Sequence, residues 1–343
     1  MQYSFEKTER YKVLSTAIEQ NINNKLKTVS VVVPIYNSAT ILQEVLNSLE
    51  EQEYPIHKVI LIDNNSKDSS FEIMKKYAQT SKFCVCLIRH DQDKGLSYSY
   101  NEAIDNSETD FLITLQSDCV IPDKEGIKKI LDPFDKDNGI VVACSLQTTP
   151  WKVWQEYNFW QKCLFSRHVG KIMSGRNGRF CCFSLQALRN VGKFDENTYR
   201  TAGEDGDILF RLSSVGKIVD VDLVVEHLHN KNPDFSLGDY IYKENQLAEA
   251  VGACLGRNFG KISITQFTTA LLRVVLVLGM LLPKIGFFFM GLVVLYSVYF
   301  TNAVFLRSWN GYKIILLFFV NIFLLFSYSY YFLKGFFLKR QML

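Results

Sequence analysis

Carboxylates follow apolar runs at three points in the first two thirds of this 343-residue chain: Asp63, Asp118, and Glu204-Asp205 with Asp207. At such positions a carboxylate can read an N–H or O–H group, hold a hard divalent cation, or take a proton from a nucleophile. The runs Val29-Ser30-Val31-Val32-Val33-Pro34 and Lys58-Val59-Ile60-Leu61-Ile62-Asp63 read as buried parallel strands. Ligands of open α/β sheets bind beyond the carboxyl ends of such strands, so carboxylates at several strand ends point to one crevice.

The elements that must position these groups alternate along the chain. Strands are expected over 29–34, 58–63, 84–89, 111–115 and 139–144, with helices over about 39–51, 69–77 and 96–106, and a later strand over 218–225. This alternation argues for βαβ units in an α/β, doubly wound sheet, whose right-handed crossovers collect the strand ends on one edge. Residues 1–28 are polar, with a short helix expected around 11–22. The stretch 151–178 is aromatic and basic, with Trp151, Trp154, Tyr157, Phe159, Trp160 and Phe165. It reads equally as a core-facing amphipathic helix or as a surface that meets lipid headgroups or an acceptor.

The length suits one large α/β domain and an additional part, since single cores stop growing at roughly 250–300 residues. A net charge of +3 without a basic stripe gives no reason to expect a nucleic-acid partner. The 8 cysteines show neither a disulfide framework nor a CxxC pair, which fits reduced thiols packing as small hydrophobes in the cytoplasm. No apolar signal-peptide core is visible at the N-terminus, so the catalytic part is expected to stay cytoplasmic.

Beyond residue 261 the composition turns apolar. Two uncharged segments, 285–306 and 314–333, are each close to the roughly 20 residues that cross a bilayer and are expected to be transmembrane helices. The segment 261–284 is interrupted by Arg273, which shares a helical face with Gln266 and Thr269, and is expected to lie in the interface. Two crossings return Lys334, Lys339 and Arg340 to the side of Arg257 and Lys261, as the positive-inside rule prefers. The expected organisation is therefore 1–28 polar, 29–260 the α/β domain, 261–284 interfacial and 285–343 a two-helix membrane region.

Walker, dinucleotide-fingerprint and nucleophile-elbow motifs are all missing from the sequence. What is present is Val31-Val32-Val33-Pro34-Ile35-Tyr36-Asn37, then Ile60-Leu61-Ile62-Asp63-Asn64-Asn65-Ser66-Lys67-Asp68, Asp93-Lys94-Gly95, Asn101-Glu102-Ala103 and Leu115-Gln116-Ser117-Asp118. Val191-Gly192-Lys193-Phe194-Asp195-Glu196 and Gly203-Glu204-Asp205-Gly206-Asp207 follow. In this order, over roughly 29–229, the chain resembles family 2 glycosyltransferases with the Rossmann-like GT-A fold.

The resemblance implies a nucleotide-binding side made of Pro34, Tyr36, Asp63, Lys94, Gln116, Ser117 and Asp118. Asp118 matches the last carboxylate of the family's DxD motif, which holds Mn2+ or Mg2+ against the donor diphosphate, while Gln116 departs from the motif's first Asp. His227, or else His229, matches a further metal ligand. Strand alternation allows at most one of the two to face the site. Asp205 matches the catalytic base, and Glu204, Asp207 and Arg179 fall on the acceptor side. The implied activity is inverting transfer of one sugar from a UDP- or GDP-linked donor to an acceptor, expected to be lipid-linked, at the cytoplasmic face of the membrane. QxxRW, the mark of processive members, is missing, which favours single-sugar addition. The second reading, motivated by Gln116, is a non-catalytic nucleotide-sugar-binding partner of a glycan assembly complex.

Overall fold

The computed structural model describes residues 26–200, 202–229, 232–259 and 264–343. The helix expected around 11–22 and the charge of Lys261 lie outside the described residues. Contacts divide the chain into a sheet unit, the described parts of Met1–Pro150, Gly170–Glu196 and Glu204–Lys231, and a helical unit, those of Trp151–Val169, Asn197–Gly203 and Asn232–Leu343.

The described strands of the sheet unit are β1 (Val29–Ile35), β2 (Lys58–Asp63), β3 (Val85–Arg89), β4 (Phe111–Leu115), β5 (Cys119–Val120), β6 (Ile140–Thr148), β7 (Met173–Ser174), β8 (Phe180–Ser184) and β9 (Lys217–His227). They pair in the order β3-β2-β1-β4-β8-β6-β9-β5, with β7 on β6. Helices α1 (Leu42–Glu50), α2 (Ser70–Thr80), α3 (Leu96–Asp105), α4 (Gly126–Leu131) and α5 (Pro133–Lys136) fall between the first six strands. The α/β class is as expected, and β1 and β2 are buried on both faces, as continuous Val/Ile/Leu runs demand. Pro34, which has no N–H to give, lies beyond the last β1–β4 pair, Val32 with Thr114.

The sheet differs from a parallel doubly wound one at β8, which runs antiparallel between β4 and β6. Because β8 is reversed, its first residues rather than its last stand at the edge where β1, β2, β4, β6 and β9 end: Phe180 pairs with Leu115. Strand β6 also runs on to Thr148, past the expected end at 144.

The helical unit contains α6 (Trp151–Glu156) and α7 (Phe159–Phe165); then, after α8 (Leu185–Asn190) and α9 (Glu204–Leu212) of the sheet unit, come α10 (Leu237–Arg257), α11 (Ile264–Gly279), α12 (Gly286–Phe305) and α13 (Tyr312–Leu338). The aromatic stretch forms the two short helices α6 and α7, and Trp154, Tyr157, Phe159 and Phe165 are buried, which is the packing alternative of the two readings. Trp160 stacks on Tyr240 of α10 with centroids 6.1 Å apart.

Helix α10 lies against α13 through glycines: a Cβ on Gly252 would stand 2.0 Å from the Phe332 carbonyl, and one on Gly335 2.1 Å from that of Glu249. Small residues let two backbones approach this closely. Lys334 is ion-paired at 2.8 Å with the fully buried Glu249, so its charge is neutralised within the unit. Helices α12 and α13, of 20 and 27 residues, are long and apolar enough to cross a membrane. Phe287, Phe288, Tyr299 and Phe319 are exposed on them.

Candidate active site

The carboxyl edge of the sheet is assembled by backbone pairing. Cys119 of β5 pairs with His227 at the end of β9, and the N–H of Leu228 donates to the carbonyl of Asp118 at 2.8 Å. This seats the Asp118 carboxylate against two histidines: its Oδ2 is 3.2 Å from His227 Nε2 and 3.4 Å from His229 Nδ1. Both rings therefore face the site, contrary to the expectation that only one would. The reason is local: β9 ends at His227 and His229 has φ +52°, so the period-two alternation of a strand stops between them. Cys119 Sγ lies 3.7 Å from Asp118 Oδ1, and Asp118, Cys119 and His227 bring their ligand atoms within 4.8 Å of one another.

Arg179 enters on the reversed strand. Its carbonyl accepts from the N–H of Gln116 at 3.0 Å, and its guanidinium donates to Gln147 Oε1, near the end of β6. Arg179 Nε is buried without a hydrogen-bond partner. Although burial opposes its ionisation, Asp118 is held well below the usual carboxylate range by His227, His229 and Arg179. Burial pushes His227 below the ordinary histidine value, opposed by the neighbouring Asp118 charge and the hydrogen bond to it. Burial pushes the Cys119 thiol up, which keeps it protonated.

Asp205 stands in the first turn of α9, its Cβ 3.5 Å from where a Cβ on Gly178 would be. Its Oδ1 accepts from the N–H of Gly206 at 2.7 Å. Burial raises its pKa, opposed by that hydrogen bond and by the charge of Arg179, which thus acts on both Asp118 and Asp205. Glu204 beside it is buried, and burial followed by the Asp205 charge pushes it up to about 8. Asp207 is committed to Arg211, whose Nε and Nη2 reach its Oδ2 at 2.8 and 2.7 Å while Nη1 donates to the Val191 carbonyl. That pair anchors α9.

Asp63 is fully buried at the end of β2; Oδ1 accepts the N–H of Ser66 at 3.0 Å, and Oδ2 is 3.1 Å from Arg89 Nε. The turns after β1 and β2 are locked together: Asn37 and Asn65 adopt φ of +49° and +65°, Asn37 N–H donates to Ser66 Oγ, and Lys67 N–H donates to Asn37 Oδ1. Tyr36 is 52% exposed beside them. Ser117 Oγ is 2.8 Å from Ser38 Oγ. Lys94 begins α3's approach with its N–H on Asn64 Oδ1 and its Nζ 4.9 Å from the Tyr98 ring centroid.

Asp118, His227, His229 and Arg179 thus form one cluster with Asp205 electrostatically adjacent, whereas Asp63, Tyr36 and Lys94 stand along the same sheet edge without contacting it. Gln147 and Cys119 join the cluster unannounced. Cys119 had a signal in its adjacency to Asp118; Gln147 had none, because its strand reads as ending three residues earlier.

A mixed sheet in which β8 runs against its neighbours, and a carboxylate–histidine cluster where its parallel strands end, define a GT-A-fold protein. Its likeness to the mannosyltransferase PcManGT from Pyrobaculum calidifontis, solved in complex with GDP-Man and Mn2+, covers 92% of this chain and 87% of that one at a TM-score of 0.55 and 13% identity. Residues 30–191 match the family model for glycosyl transferase family 2. Among curated relatives, glycosyltransferase AglE of Haloferax volcanii is 33% identical over 100 residues, covering 29% of this chain and 33% of that protein. The uncharacterized glycosyltransferase YfnE of Bacillus subtilis is 29% identical over 144 residues, 42% of this chain and 34% of its own. The matched segment thus spans about a third of the length of these relatives.

Proposed function

We propose that this chain is an inverting glycosyltransferase that moves one sugar from a UDP- or GDP-linked donor to a lipid-linked acceptor. The observation that carries the reading is the convergence of Asp118, His227, His229 and Arg179 beside Asp205 at one sheet edge. The donor set, a carboxylate with imidazole, fits a divalent cation, and its nitrogen content favours Mn2+ over Mg2+, which prefers oxygen. Asp118 and His227 would hold the ion, with His229 alongside, and the bound ion would supply Lewis-acid neutralisation of the donor diphosphate.

The chain's own groups do the rest. Arg179, with a buried Nε lacking a partner, meets the phosphate oxygens as charge develops on the leaving nucleotide. Asp205, its pKa raised by burial toward working pH, accepts the proton of an acceptor hydroxyl as it attacks the anomeric carbon. Tyr36 and Lys94 flank the nucleotide, Gln116 and Ser117 its ribose, and Asp63, whose Oδ2 is held by Arg89 at 3.1 Å, accepts a hydrogen bond from the base or ribose. Glu204 and Asp207 support the acceptor side. The apolar α12 and α13 motivate a membrane anchor, with α11 in the interface, residues 29–260 in the cytoplasm and an acceptor carried in the same membrane. Tethering raises the effective concentration of such an acceptor without new contacts.

A thermal-shift panel of UDP- and GDP-sugars with and without Mn2+ tests the reading, because a ligand that binds the folded state alone stabilises it. One nucleotide class should raise the melting temperature in a Mn2+-dependent way, and Asp118→Ala should abolish the rise. Nucleotide shifts that survive unchanged in Asp118→Ala would refute the assignment.

A further inference from the structure

The helical unit holds a polar pocket that the transfer chemistry does not use. Arg167, in the turn after α7, and Arg273 of α11 line it together with Glu244 of α10, Tyr296 and Phe300 of α12 and Asn321 of α13. The Arg273 guanidinium carbon is 4.2 Å from the Tyr328 ring centroid and 5.9 Å from those of Tyr296 and Phe300, and that of Arg167 is 4.6 Å from Phe300. Ring faces stabilise a cation, but the fork of N–H donors at the guanidinium edge still needs oxygen. Among the described residues, neither guanidinium has a carboxylate at ion-pair distance or a hydrogen-bond acceptor.

Two cations and one carboxylate leave the pocket with an uncompensated positive charge, inside a bundle whose outer faces are Phe, Leu and Val. Charges in such a place are paired or serve a ligand. The partner that suits two guanidinium forks is an oxyanion, and basic pockets between apolar helices take lipid headgroups. The free space is roughly that of one water molecule, so an oxygen or two of a phosphate fit and a sugar ring does not. The exposed apolar side chains of α12 and α13 offer a tail a surface to lie along.

We propose that Arg167 and Arg273 bind the phosphate of a membrane lipid, with Glu244 limiting the charge that the pocket accepts. The inference rests on the membrane reading above. The test is native mass spectrometry of the delipidated full-length chain in neutral detergent, offered dioleoyl phosphatidic acid or dioleoyl phosphatidylcholine, with and without millimolar inorganic phosphate. The wild type should retain phosphatidic acid at least about fivefold better, as bidentate arginine recognition requires. Arg167→Gln with Arg273→Gln should erase the preference, the two lysine replacements should keep part of it, and Glu244→Gln should strengthen it. Equal retention of the two lipids, or a preference unchanged in the glutamine variant, overturns the proposal. Complete displacement by inorganic phosphate overturns the lipid as source. Nucleotide-dependent melting shifts in the same samples separate the two readings. Loss of lipid preference with those shifts intact rejects this inference alone; wild-type protein that retains phosphatidic acid but shows no nucleotide shift rejects the transferase and leaves the pocket standing.

Discussion

Replacing Glu204 by Gln should change how stability depends on pH. The residue is 5% exposed, and its Oε2 has no hydrogen-bond partner. Burial, then the Asp205 charge, raises its pKa from 4.5 to about 8. Between those two values the folded chain keeps a proton that the unfolded chain has released, so stability falls as pH rises and the loss is complete above the folded value. At about 1.4 kcal/mol per unit, the raised pKa amounts to a destabilisation on the order of 5 kcal/mol at alkaline pH. The amide of Glu204→Gln has nearly the shape of the protonated acid and never ionises. The variant should therefore match wild type within about 1 kcal/mol near pH 5 and exceed it by several kcal/mol near pH 9. Denaturant or thermal unfolding of the detergent-purified chain across that range, followed by near-ultraviolet circular dichroism, measures the difference. Parallel pH profiles for the two proteins would refute the claim that Glu204 is folded away as a neutral acid.

Three further outcomes follow from the same geometry. Asp205→Asn should lower turnover of a hydroxyl acceptor by roughly 10²–10⁴-fold while leaving donor binding intact, and should spare much of the activity if the acceptor is an already ionised phosphate; steady-state kinetics with each acceptor class decides. His227→Ala should abolish the Mn2+-dependent nucleotide shift, whereas His229→Ala, at a side chain 31% exposed, should weaken Mn2+ affinity by only about tenfold, as read by metal titration of the melting temperature. Gly252→Ala places a Cβ 2.0 Å from the Phe332 carbonyl and should cost about 1–3 kcal/mol or more, while Gly291→Ala, with nothing within 4 Å, should be neutral or slightly stabilising in parallel melts.

The parallel part of the sheet is legible because strands buried on both faces must be continuous β-branched runs, and their ends then carry Asp63 and Asp118 where a ligand edge belongs. Strand β8 is not legible in this way. Phe180–Ser184 follows a glycine-rich segment, Gly175–Gly178, and reads as part of a loop; its place between β4 and β6 depends on partners more than 30 residues distant, for which local pattern holds no signal. The same limit applies to α10, whose polar face conceals glycines that match α13 about 80 residues later. It applies to His229 as well, because alternation assumes extended backbone and one residue at φ +52° cancels it.

These gaps concern the features that turn a sheet edge into a site. Had β8 run parallel, Arg179 would precede its strand at the opposite, amino edge, far from Asp118. Reversal brings the arginine to the ligand edge with its carbonyl bound to Gln116 and its guanidinium bound to Gln147. On the proposed function, the cation stands where Gln116, in place of a second carboxylate, leaves the metal position with one acidic ligand. A second carboxylate there would be drawn to Arg179 as an ion pair, and both would be withdrawn from the donor diphosphate. In that reading the neutral Gln116 keeps the guanidinium available to phosphate, and the departure from the DxD pattern and the reversed strand form one device. Gln116→Asp therefore should not improve donor use. It should strengthen Mn2+ binding and weaken nucleotide-sugar binding in the same protein, which paired titrations can measure; a gain in both would show that Arg179 does not serve the phosphate.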